Sequence, residues 1–124
     1  MIGYVTLGSN DVPRAAKFYD QLLGELGAKR FMESDTFVAW STGGTAAGLS
    51  VIKPENGDPA SVGNGVMVAI ACDKPETVDR LYKKALALGG TDEGPAGLRG
   101  GGFYAGYFRD LDGNKLNFFA MPEG

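Results

Sequence analysis

The sequence predicts an α+β fold made of two β-α-β-β-β modules in tandem, and three observations carry that prediction. The first is an internal repeat: Asp11 and Asp73, Pro13 and Pro75, and Gly27 and Gly89 are each 62 positions apart. Three matches in one register across the chain are the mark of a repeated unit. The second is a change of period within each half, from strand-like alternation to helical spacing and back. The third is the closing run Phe103 to Phe119, in which two aromatic, apolar stretches flank Asp112-Gly113-Asn114. Residues that tolerate positive φ between two such stretches predict a β-hairpin.

Each element follows in order. Ile2 to Leu7 is β-rich and reads as a strand. Asp11 is placed to cap a helix, with Pro13 in its first turn. Val12, Ala15, Ala16, Tyr19, Leu22, Leu23 and Leu26 recur at helical spacing, and Gly27 is suited to end the helix. Arg30 to Met32, Thr36 to Ser41 and Gly48 to Lys53 are the next strands, with Gly43-Gly44 turning the chain. Residues 54–65 are rich in Pro, Gly, Asn, Asp and Ser and read as a linking loop. The pattern then restarts. Val66 to Cys72 is a strand, Asp73 a cap, and Val78, Leu81, Tyr82, Ala85, Leu86 and Leu88 the apolar face of a second helix ended by Gly89-Gly90. Gly94 to Gly102 reads as a glycine-rich loop that could cover a pocket. It lacks the Gly-Lys-Ser/Thr ending of a phosphate-binding loop, and a strand follows it. The Asp112 turn lacks the acidic spacing and closing Glu of a calcium loop.

At 124 residues the chain is expected to form one domain, with modules at about residues 1–56 and 64–122. A chain of this length buries roughly two-thirds of its unfolded surface, enough for a core without staples. The single cysteine, Cys72, has no internal partner, which points to a reducing, cytoplasmic setting. No basic leader or long apolar run is present, so neither a secretion signal nor a membrane span is expected. A net charge of −3 argues against a nucleic-acid surface. The chain has no histidine, so the commonest metal ligand and the commonest general base are both missing. Cys72 without an activating histidine is expected to be an inert thiol.

The closing hairpin Tyr107-Phe108-Arg109-Asp110-Leu111-Asp112-Gly113-Asn114-Lys115-Leu116 and the opening helix with Phe18-Tyr19 and Leu22-Leu23-Gly24 carry a resemblance. Over essentially its whole length the chain resembles the vicinal oxygen chelate superfamily, the family of glyoxalase I, bleomycin resistance proteins and extradiol dioxygenases. The resemblance implies that the two modules form a curved mixed sheet around a cavity, and that the protein is a homodimer. The family's metal ligands are usually His, Glu or Gln, on the first and last strand of each module. Those positions fall on Tyr4, Ser50, Met67 and Asn117. A phenol, a hydroxyl, a thioether and a neutral amide are a poor set for a divalent ion, which prefers imidazole or carboxylate. No metal or other cofactor is therefore expected.

Strand alternation adds neighbours on the same face. The expected cavity lining is Tyr4, Thr6, Trp40, Ser50, Met67, Phe103, Tyr107 and Asn117. Trp40 is included because it precedes Ser50 by the spacing that separates Tyr107 from Asn117. Arg109 and Lys115 would add positive charge near the mouth. An aromatic wall with a few neutral polar groups suits a small-molecule ligand. The alternative is an enzyme of the same superfamily: a glyoxalase-type lyase or isomerase, a dioxygenase, or a metal-independent catalyst using Tyr4 or Tyr107. Bleomycin resistance proteins act by binding alone, as sequestering dimers, but no acidic groove suited to that cationic drug is visible here.

Overall fold

The computed structural model describes residues 1–121. The chain divides into two compact units, Met1–Val62 and Gly63–Gly124. The first contains β1 (Tyr4–Gly8), α1 (Val12–Gly24), β2 (Lys29–Glu33), β3 (Phe37–Ser41) and β4 (Gly48–Ile52). Its sheet has the order β1-β4-β3-β2, with β1 parallel to β4 and the other pairs antiparallel. The second contains β5 (Val68–Ala71), α2 (Pro75–Ala87), β6 (Thr91–Leu98), β7 (Tyr104–Arg109) and β8 (Lys115–Ala120). Its order is β5-β8-β7-β6, with the same mixture of parallel and antiparallel pairs. Two four-stranded mixed sheets, each with one helix, are the tandem β-α-β-β-β fold that the sequence predicts.

Each helix is held by its apolar stripe. In α1, Val12, Ala15, Ala16, Phe18, Tyr19, Leu22 and Leu23 are buried; in α2, Val78, Leu81, Tyr82 and Ala85. These side chains meet one face of their own sheet, where Val38, Trp40, Leu49 and Val51, and Phe108, Leu116 and Phe118, are also buried. Asp11 caps α1 as expected, accepting the Arg14 backbone N–H at 3.1 Å. In α2 the expectation fails by one residue: Lys74 occupies the cap and makes no side-chain cap bond. Asp73 instead accepts the Thr77 hydroxyl at 2.7 Å, and that bond holds its carboxyl below the usual carboxylate range. Gly27 and Gly89 both take positive φ after their helices, as the repeat requires.

Three further expectations are corrected. The run Gly94 to Gly102 is not all loop. Residues up to Leu98 belong to the edge strand β6, and only 99–103 turn back. Its register against β7 slips twice, at Gly94 and before Gly97, which disguises the strand as a loop in the sequence. Met67 lies just outside the strand predicted for it, because β5 begins at Val68. Trp40 faces α1, not the far side of the sheet. It is 1% exposed, its indole N–H donates to Asp20 Oδ1 on α1 at 2.8 Å, and its ring lies 5.5 Å from that of Tyr19. The reason is loop length. The β3–β4 connection has six residues, 42–47, and the β7–β8 connection five, 110–114. Ser50 therefore pairs with Ala39, whereas Asn117 pairs with Tyr107. A slip of one residue turns a strand side chain to the opposite face.

Candidate functional site

The face of each sheet turned away from its helix carries the remaining candidates. In the first unit, Thr6, Ser50 and Ala39 form one row across β1, β4 and β3. Ser50 is fully buried, with Oγ 2.8 Å from Thr6 Oγ1 and 3.1 Å from the Val5 carbonyl oxygen. Its hydroxyl is thus engaged within the protein. Tyr4, two residues before Thr6 on the same face, is 59% exposed. It borders a cleft of about 750 Å³ at the end of the sheet, with Lys29, Phe31, Ser41 and Gly44 on its other walls.

The second unit repeats the arrangement with different chemistry. Ala69, Asn117 and Tyr107 form the equivalent row across β5, β8 and β7. Ser50 and Asn117 thus hold corresponding places in the two sheets. Asn117 is 1% exposed, and its Oδ1 is buried with no hydrogen-bond partner among the described residues. Native proteins pair nearly all such atoms, with protein groups or with ordered water. Phe103 and Phe119 stack beside this row, with ring centroids 5.5 Å apart. The Arg99 guanidinium lies 5.4 Å from the Tyr107 ring centroid, and Lys115 Nζ lies 5.6 Å from it.

Of the two cations expected near the mouth, Lys115 has no carboxylate partner among the described residues. Arg109 is paired with Glu93 and also donates to the Gly113 carbonyl at 2.9 Å. Arg99 was not a candidate from sequence. The only signal for it is its position as the one charged residue between Glu93 and Arg109 in a glycine-rich stretch. The sequence likewise marks Asp110 only as a member of the closing hairpin. It accepts the backbone N–H groups of Asp112 and Asn114, each at 2.9 Å, and so fixes the hairpin that presents Lys115 and Asn117.

The perturbed tyrosines lie elsewhere. Burial, with a bond to Asp92, pushes the Tyr82 phenol up to about 12. The Asp79 carboxylate raises that of Tyr104, which donates to it at 2.5 Å. Both hydroxyls are tied to structural carboxylates and are ill suited to act as bases near neutral pH. Burial raises the Cys72 thiol to about 11, which makes a thiolate nucleophile scarce.

The four positions Tyr4, Ser50, Met67 and Asn117 offer no anionic donor short of ionising a phenol. Among the described residues no group of three or more His, Cys, Asp or Glu side chains gathers in a way that could hold a metal ion. The donor set does not fit the divalent ion of the superfamily.

The sequence profile of the Glyoxalase/Bleomycin resistance protein/Dioxygenase superfamily matches residues 1–118. Among solved structures, a glyoxalase/bleomycin resistance protein from Albidiferax ferrireducens T118 is 36% identical, with a TM-score of 0.90, over 98% of this chain and 99% of that one. A lactoylglutathione lyase from Agrobacterium tumefaciens is 22% identical, with a TM-score of 0.73, over 97% of this chain and 92% of that one; at this identity it shows the shared fold alone. No protein of curated function matches. A profile match over nearly the whole chain, and a full-length relative of the same fold, show that this chain belongs to the glyoxalase/bleomycin resistance protein/dioxygenase superfamily.

Proposed function

We propose that this chain is a binding member of its superfamily, which holds a small organic molecule against the helix-free face of its second sheet and does so without a divalent metal. The observation that carries the reading is the buried, unpartnered Oδ1 of Asn117, beside Tyr107 and the Phe103–Phe119 stack. A buried acceptor costs stability until a donor reaches it. A bound molecule supplies that donor, and the aromatic walls supply apolar contact. The chemistry of the four ligand positions supports the metal-free part of the reading, since neutral donors do not offset the dehydration of a divalent ion.

Two measurements test it. Untagged protein is incubated with Mn²⁺, Fe²⁺, Ni²⁺ or Zn²⁺, desalted and subjected to elemental analysis. Substoichiometric metal is expected; a stoichiometric ion would restore metal-dependent chemistry and defeat the metal-free reading. A thermal-shift screen over small organic molecules is then expected to find stabilising compounds. A ligand at one hundred times its Kd adds about 2.7 kcal/mol to the native state. A screen in which no compound raises the melting temperature would remove the binding role.

The same reading places the protein in the cytoplasm as a homodimer. Phe31 and Met32 on edge strand β2, and Leu98 at the end of edge strand β6, are exposed in the single chain, which supports association. No helix among the described residues is long and apolar enough to cross a membrane.

A further inference from the structure

On the helix-free face of the second sheet, Tyr107 has two cations beside its ring and an unmet acceptor, that of Asn117, on its cross-strand partner. Arg99 is seated by glycines. A Cβ at Gly94 would stand 3.4 Å from Arg99 Nη2 and 3.3 Å from Tyr107 Cδ1, and one at Gly97 would stand 3.3 Å from Arg99 Nη1. The guanidinium occupies that space and donates to the Gly97 and Pro95 carbonyls at 3.0 and 2.8 Å. Both acceptors are neutral. Among the described residues neither Arg99 nor Lys115 has a carboxylate partner, in contrast to Arg109 and Arg30, which are paired. Two uncompensated cations beside one tyrosine ring favour an anion there. Asn117, directly across the strand pair from Tyr107, asks for a hydrogen-bond donor that neither cation supplies.

We propose that the molecule bound on this face is a small aromatic hydroxycarboxylic acid. Its carboxylate lies between Arg99 and Lys115 beside Tyr107, its hydroxyl donates to Asn117 Oδ1, and its ring packs toward Phe103 and Phe119. The proposal rests on the binding role given above and adds the chemical class of the ligand. A neutral ligand would leave both cations uncompensated, and a cationic one would be repelled by them. A plain carboxylic acid would answer the charge and leave Asn117 unpaired.

The test uses the full chain and matched probes: salicylate, mandelate and 4-hydroxyphenylacetate, each with its methyl ester, and inorganic phosphate as an anion without an organic body. Binding is read by calorimetry and thermal shift at low ionic strength. At least one acid is expected to bind about tenfold or more tightly than its ester, the difference that one charge-assisted contact provides. Lys115→Gln and Arg99→Gln are each expected to weaken the acid by about tenfold and leave the ester unchanged, and Lys115→Arg is expected to retain binding. Far-UV circular dichroism checks that the variants fold. Esters that bind as tightly as acids, an acid indifferent to Lys115→Gln, or phosphate that binds as well as the acids would each overturn the proposal. If these acids fail while neutral compounds from the wider screen bind, the acid assignment falls and the binding role stands. If nothing of any charge binds, both fall together.

Discussion

Asn117 and Asp20 are two polar side chains that the fold treats in opposite ways. Asn117 leaves an acceptor unmet in the interior. Replacing it with leucine, which is close in volume, removes the unpaired atom. Asn117→Leu is expected to stabilise the ligand-free protein by about 1 kcal/mol, read by urea unfolding, and to abolish ligand binding. A structural asparagine would show the opposite sign. Asp20 is fully engaged. It accepts the Trp40 indole N–H and two Arg30 contacts at 2.9 and 2.7 Å, and the Arg30 bond holds its carboxyl below the usual carboxylate range. Asp20→Ala orphans the indole N–H and leaves Arg30 paired with Glu33 alone, at an expected cost of about 2 kcal/mol after allowance for the solvent around the ion pair. Because the folded carboxyl is the stronger acid, its contribution is complete above the unfolded value near 4 and is lost as pH falls through the lower folded value. The stability gap between wild type and Asp20→Asn should therefore close in acid, which denaturant titrations from pH 7 to pH 2.5 would reveal.

At the scale of elements, α2 and β7 are packed without slack. A Cβ on Gly106 would lie 3.0–3.1 Å from Cβ, Cγ and Cδ1 of Tyr82, the root of that side chain and not its flexible end. Gly106→Ala is expected to cost roughly 2 kcal/mol through displacement of the helix, visible as a lower denaturation midpoint. The close fit also shows what the sequence could convey. Helix faces, the Asp11 cap and the Asp112–Asn114 turn were legible because each is encoded within a few neighbouring residues, and the repeat because three matches share one offset of 62 positions. Strand β6 was not, because its glycines carry no alternation and its two register slips break the period of two. Extending the repeat across connections of unequal length puts Trp40 on the wrong face. Asn117 and Tyr107 are expected in the lining from the sequence, but their pairing across the strands follows from the five-residue connection that fixes the register. Arg99 was hidden, because its place against Tyr107 depends on the space left by Gly94 and Gly97 on a strand the sequence did not reveal.

For the whole molecule, the exposed apolar side chains of β2 set an expectation about assembly. Sedimentation equilibrium should give twice the 13.0 kDa of the chain, and Phe31→Asp with Met32→Asp should shift the protein toward monomer. A monomeric wild type across the micromolar range would remove the homodimer from the proposed function.

The chain has a single tryptophan, and it belongs entirely to the first unit. Trp40 sits dry against Tyr19 with its indole N–H bonded to Asp20, so its fluorescence should be blue-shifted and should report on the Met1–Val62 half alone. The other half contributes only tyrosine emission, while far-UV dichroism sums both. Following one denaturant series by both signals therefore separates the melting of the first half from that of the protein as a whole. Superimposed curves would mark a single cooperative body. Curves with separate midpoints would mark a protein whose two halves carry their stability independently.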